Sequence, residues 1–135
     1  MKRSIILLIV FSLFSFVISK AYPTTIPIPD KIRVAVLDDA SDMTLSIRGP
    51  YRIETIQTKE LIDKGDTIFD IHITPSNNGI VFGKKEFKIY AINIIPEREP
   101  AIYLRQRLYR GSLQIVRTSK GTLRAINTLN LEDYL

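Results

Sequence analysis

Apolar and polar residues alternate along most of this chain, and the alternation sets the elements to expect. Ile32, Val34 and Val36 alternate with Arg33 and Ala35, a period of two that predicts a strand with one buried face. Met43, Leu45 and Ile47 repeat the pattern, and Gly49-Pro50 reads as a turn into a further strand over 51–56. Residues 67–73 place Phe69, Ile71 and Ile73 on one face. Asn78-Gly79 signals a hairpin, because both residues tolerate the positive φ of a type I′ turn. The run 87–95 is the most apolar and reads as a central strand. Pro96-Glu97-Arg98-Glu99-Pro100 ends it, since proline cannot continue a ladder. Residues 101–108 resume an extended run, and only 59–64 carries a helical pattern. The expected fold class is therefore α+β, predominantly antiparallel β.

The C-terminal stretch is the most informative. Two alternating runs, 113–117 and 123–127, flank Thr118-Ser119-Lys120-Gly121 and predict a β-hairpin with glycine where φ > 0 is needed. Asn130-Leu131-Glu132-Asp133 then combines an Asx cap with acidic residues that suit the positive end of a helix dipole. A helix of about five residues cannot hold itself in water, because isolated helices need roughly 12–15. The sequence thus leads us to expect an N-terminal, β-rich part of a domain truncated at the start of a helix.

The run Tyr109-Arg110-Gly111-Ser112-Leu113, a short hairpin, and then Leu129-Asn130-Leu131-Glu132-Asp133-Tyr134-Leu135 resembles stage II sporulation protein D and the SpoIID/LytB family. Its members typically read YRGxLE, a hairpin, then LPLEDYLxGVVPxEM. The opening Ile32-Arg33-Val34-Ala35-Val36-Leu37 and the Gly49-Pro50-Tyr51 turn resemble the start of the same domain, so the similarity covers about residues 31–135. Asn130 stands where the family usually has proline, and both start helices acceptably. The resemblance implies a lytic transglycosylase acting on peptidoglycan glycan strands, in sporulation or wall turnover, with no organic cofactor. One glutamate donates a proton to the glycosidic oxygen and then, as base, helps a sugar hydroxyl close an anhydro ring. That glutamate follows the LEDYL run in the family, so the chain as it stands is expected to lack catalytic residues and to be inactive. The alternative implied by other members is a non-catalytic, wall-binding or amidase-modifier module with a wall amidase or another envelope protein as partner. The matching motif residues are Tyr109, Arg110, Gly111, Leu131, Glu132, Asp133 and Tyr134.

The front of the chain is a targeting segment. Lys2 and Arg3 precede an uncharged, largely apolar run over 5–18, and Ser19-Lys20-Ala21 offers a cleavage site. Fourteen residues span about 21 Å, short of a hydrocarbon core of about 30 Å. Residues 1–21 are read as a signal peptide or an uncleaved N-terminal anchor, 22–30 as a Pro-rich spacer and 31–135 as the domain. Both readings export the domain to the cell envelope or beyond, with membrane contact only through 1–21.

Charge sharpens this picture. The chain carries +5, but without the leader the balance is −3 over residues 22–83 and +5 over 84–135. A basic second half suits an anionic polymer as well as it suits solvated strand faces. No nucleic-acid module is recognisable, so nucleic acid is not an expected partner. The absence of cysteine leaves stability to the apolar core.

Asp38, Asp39 and Asp42 lie close in sequence but lack the spacing of a calcium loop, and read as an Asx-rich turn. His72, the only histidine, stands two residues after Asp70; an Asp–His pair can serve nucleophilic chemistry, but no serine elbow or cysteine accompanies it. No metal site is expected, because one histidine without cysteine makes a zinc site improbable. Glu132 and Asp133 are read as helix-start residues, since a helix N-terminus lowers the pKa that a sugar acid needs raised. Arg110, Arg117 and Arg124 are the possible glycan-binding cations, with Arg110 also able to pair with Glu132 or Asp133. Gly111 is expected where the backbone passes close to a neighbouring strand.

Overall fold

A computed structural model describes residues 20–22, 27–99 and 101–134. The expected leader (residues 1–19 of it) and spacer residues 23–26 lie outside this set. Ten strands follow in chain order: β1 Lys31–Ala40, β2 Met43–Thr55, β3 Leu61–Pro75, β4 Ile80–Phe82, β5 Lys85–Phe87, β6 Ala91–Pro96, β7 Ile102–Leu104, β8 Arg107–Tyr109, β9 Ser112–Arg117 and β10 Leu123–Asn130. One helical turn, α1 Leu131–Tyr134, closes the described chain. The fold is mostly antiparallel β. The strands make one sheet in the order β1-β10-β9-β6-β2-β3-β4-β5, with β7 paired to β2 and β8 to β7.

Strands β2 and β3 organise the sheet. The first half of β2 pairs with β7, through Leu45 and Leu104, and its second half pairs with β6, through Ile53 and Ile94. The chain between β6 and β7 stays on β2 through hydrogen bonds from Glu97 N–H to the Pro50 carbonyl and from Arg48 N–H to the Ala101 carbonyl. Gly49-Pro50 is therefore not the expected turn. Strand β2 runs through it with a shift of register, and Gly49 takes φ +79° at the bend. The bend lets the sheet curl around a single core. Leu45, Ile47 and Ile53 of β2 meet Ile92 and Ile94 of β6, Ile102 of β7, and Leu113, Ile115 and Leu123 of the terminal hairpin there. Burying each such side chain contributes about 1.5–3 kcal/mol, which is what holds a cysteine-free domain together.

Several expectations change for identifiable reasons. Among the described residues strand β1 pairs with β10 alone, so its apolar face is half covered and Val34 keeps 38% exposure. The supposed common face of Phe69, Ile71 and Ile73 is broken, because Leu45 pairs with Ile71 but Ile47 pairs with Ile68. Phe69 and Asp70 bulge out between them, Asp70 at φ +48°. The helical pattern over 59–64 gives way to strand pairing of Leu61 with Glu54. The hairpin at Asn78-Gly79 forms, but as a loop closed from Ser76 N–H to the Gly79 carbonyl, with neither residue at positive φ. Gly79 matters because a side chain there would strike the backbone of Phe87 and Ile89. The run 87–95 divides into the end of β5 and a central β6, and 101–108 folds into the β7–β8 hairpin across a two-residue turn. In that turn Arg105 and Gln106 both hold positive φ, as type I′ geometry requires.

The terminal elements follow expectation more closely. Strands β9 and β10 pair as predicted, with Gly121 at φ +77° in the connection. Helix α1 begins at Leu131, whose N–H donates to the Asp30 carbonyl at 3.0 Å.

Candidate functional site: a polar trough beside the Tyr109–Ser112 turn

The side chains of β6, β9 and β10 that do not enter the core build one continuous polar surface. Register places Ile126 beside Gln114, Gln114 beside Asn93, and Asn93 beside Glu54. A second row sets Arg33 beside Thr128 and Thr128 beside Ser112. Arg33, Glu54, Asn93, Ser112, Gln114 and Thr128, together with Arg52, Lys31 and Lys59, line a trough of about 690 Å³. Its floor is short of hydrogen bonds: Asn93 Oδ1 and Thr128 Oγ1 are buried without a partner. Both atoms are closed to solvent, so an occupant of the trough reaches them only after a side-chain movement.

Several charged groups of the trough are held by internal hydrogen bonds. Arg52 Nε donates to Glu54 Oε1 at 2.8 Å, and Arg33 Nη2 donates to Gln114 Oε1 at 2.7 Å. Glu99 takes the Gly111 N–H on both carboxylate oxygens, at 2.9 and 2.8 Å. The surface that remains offers guanidinium edges, a hydroxyl and amides, together with the charges of Lys31, Lys59 and Asp133, which form no ion pair among the described residues.

The Tyr109–Ser112 turn forms one wall. Gly111 sits at φ +79°, and a Cβ there would overlap the Thr128 carbonyl oxygen, so the expected close approach is present and runs against β10. The buried Asn127 side chain locks the turn from below. Its Nδ2 donates to the Arg110 carbonyl at 2.7 Å and to the Ser112 carbonyl at 3.0 Å. The two halves of the motif, 109–113 and 129–134, are thus brought side by side by the β9–β10 pairing. Sequence reasoning missed Asn127, Asn93 and Thr128. Each looks like an ordinary strand polar residue until the register is known.

The remaining candidates lie elsewhere. Gly111 and Asp133 line the trough, whereas Arg110, Arg117 and Arg124 do not. Arg110 is exposed and makes no ion pair with Glu132 or Asp133 among the described residues. Arg117 stacks over the Tyr90 ring at 5.1 Å. Arg124 Nε donates to Asp38 Oδ1 at 2.9 Å, and this bond holds the Asp38 carboxyl below its ordinary pKa. Glu132 and Asp133 are exposed in the first turn of α1, and Leu131 is half-buried beside them. Tyr109 is half-buried against the core. His72 and Asp70 make no hydrogen bond to each other. Asp70 instead exchanges bonds with Ser46, its N–H donating to Oγ at 2.9 Å. No group of three or more potential metal ligands occurs among the described residues. No helix among them is long and apolar enough to cross a membrane.

The described residues form a mostly antiparallel sheet with a polar trough beside the Tyr109–Ser112 turn. No family model matches the chain, and neither the curated proteins nor the solved structures give a significant match.

Proposed function

We propose that this chain is the β-rich part of an exported cell-wall protein of the SpoIID/LytB type, and that it holds peptidoglycan glycan strands in the polar trough. The observation that carries the reading is the lining of the trough, where Gly111, Ser112, Asn130 and Asp133 of the family-like stretch stand with Gln114 and Arg33. A glycan presents hydroxyls that both donate and accept, and such groups suit amides, hydroxyls and guanidinium edges. The motif that resembles the family, 109–113 with 129–134, builds the wall of the same trough.

The reading is of binding rather than cleavage. A sugar acid needs a desolvated carboxyl with a raised pKa. Glu132 and Asp133 are exposed and so lack that desolvation. This favours the wall-binding or amidase-modifier role for the residues in hand, with a wall amidase as the candidate partner.

The test is co-sedimentation of the full chain with insoluble peptidoglycan at rising salt. Retention is expected at low salt, and Gln114→Ala or Arg33→Ala is expected to weaken it. Failure to sediment at any salt, or retention indifferent to both substitutions, overturns the reading. The chain alone is expected to release no anhydro-muropeptides from denuded strands; release would show that a proton donor is present.

A further inference from the structure

We propose that a second groove, crossing β2 between the Phe69–Asp70 bulge and the Arg105–Gln106 turn, docks an acidic peptide segment of a partner protein. It is independent of the trough, with which it shares no residue, and it has a volume of about 620 Å³. Thr44, Ser46 and Tyr103 lie across its floor.

Its chemistry is what remains after internal bonds are subtracted. Asp70, the one carboxylate lining the groove, accepts a long bond from the Ser46 hydroxyl at 3.4 Å, and its N–H donates back to Ser46 Oγ at 2.9 Å. Arg48 lies over the Tyr103 ring at 5.0 Å, a stack that fixes the guanidinium while leaving its N–H edge free for a carboxylate. Arg105 spends one N–H on the Asp42 carbonyl at 3.2 Å. Neither arginine belongs to an ion pair among the described residues. Phe69 stands beside them with 74% of its surface exposed. The groove thus presents two arginines against one carboxylate, a net positive charge, beside an apolar ring. That combination matches an anionic chain carrying an apolar side chain.

The Phe69–Asp70 bulge and the Arg105–Gln106 turn flank β2 on its two sides. Strand β2 is paired there to both β3 and β7, which rules out strand addition and leaves recognition to side chains. These flanks are also where the backbone is strained. Of six non-glycine residues at positive φ, three line this groove: Asp70, Arg105 and Gln106. Such conformations persist where surrounding structure over-determines them, and they concentrate at ligand clamps.

The experiment titrates the ¹⁵N-labelled full chain with two blocked pentapeptides, Glu-Phe-Glu-Leu-Glu and Gln-Phe-Gln-Leu-Gln. The acidic peptide is expected to shift the Thr44, Ser46 and Asp70 amides saturably, and the neutral one to bind at least about tenfold more weakly. Arg48→Gln and Phe69→Ala, both at exposed positions, should each weaken binding several-fold while leaving the thermal unfolding midpoint in place. Gln114→Ala, in the trough, should leave peptide affinity unchanged. Equal binding of the two peptides, shifts confined to other strands, or binding to phosphatidylglycerol vesicles without binding to peptide overturns the proposal.

Discussion

Three glycines in this protein share one backbone conformation but differ in their surroundings, so alanine substitution at each separates conformational cost from steric cost. Gly49, Gly111 and Gly121 sit at φ +79°, +79° and +77°. Placing an L-residue there costs about 1–2 kcal/mol for the left-handed conformation. Alanine also restricts the unfolded chain by about 0.4–1 kcal/mol at every one of the three sites, which cancels in comparison. What differs is space. A Cβ on Gly49 meets nothing within 4 Å, and on Gly121 it only reaches Arg117 Nη2 at 4.0 Å. A Cβ on Gly111 runs into the Thr128 carbonyl oxygen, a backbone atom held in the β9–β10 ladder. Forcing that overlap adds roughly 1–3 kcal/mol, the cost of overpacking where the neighbour cannot step aside. Gly49→Ala and Gly121→Ala should therefore cost about 1 kcal/mol, and Gly111→Ala roughly 2–4 kcal/mol, a large share of a stability of about 5–15 kcal/mol. Urea unfolding reads the difference directly. With a slope of about 1–3 kcal/mol per molar, the Gly111 midpoint should fall by roughly 1 M or more beyond the other two. If all three variants lose the same stability within about 0.5 kcal/mol, the close approach of the turn to β10 is not what requires glycine at Gly111.

Other consequences can be checked with simple variants. Asn127→Ala removes both bonds to the Arg110 and Ser112 carbonyls and should cost about 1–3 kcal/mol, and Asn127→Asp more, since it aims a carboxylate at two carbonyl oxygens; thermal melts in the reverse order would show that the amide is not the lock. Gln106→Gly relieves a residue at φ +68° and should raise stability by about 0.5–1 kcal/mol, whereas an unchanged or lowered urea midpoint would count against the strained turn. Burial, followed by the negative charge of Asp63, raises the Tyr51 pKa, and the bond from Lys85 Nζ to Asp63 raises that of Lys85. A folded-state pKa raised above the unfolded value gives stability that is complete below about pH 10 and is lost as pH climbs through the folded value. Unfolding midpoints measured from about pH 8 to about pH 11.5 should therefore decline at the alkaline end, and Tyr51→Phe should decline less; parallel curves would contradict a buried hydroxyl.

How much of this could be read from the chain depended on whether the signal was local. The alternation at Met43, Leu45 and Ile47, the hairpin around Thr118–Gly121 and the helix start at Leu131 are local patterns, and they appear as read. The Arg105–Gln106 turn carries none of the glycine or asparagine that marks a type I′ turn, so nothing near it announced a hairpin. At Phe69 and Asp70 one bulge reversed the phase of the strand, which a period count cannot detect from one chain segment. The helical pattern over 59–64 lost to pairing with β2, a partner that local propensity does not see. Strand β1 has the alternation of a buried strand, and only its place at the sheet edge explains its exposure. The trough is the extreme case. Asn93, Gln114, Ser112 and Thr128 are up to 35 positions apart in sequence and become neighbours solely through cross-strand register.

The pairing of β1 with β10 has a consequence for how the protein is made. Lys31 finds Asn130, and Ile32 finds Leu129, nearly a hundred positions further along the chain. During synthesis the first strand leaves the ribosome long before β10, and it waits with open hydrogen-bonding groups on both flanks. Closing so long a loop is entropically slow, which places the docking of β1 among the last events of folding. Lys31, Arg33, Asp38 and Asp39 make that waiting tolerable: an interrupted, doubly charged ribbon is a poor template for a stranger's strand.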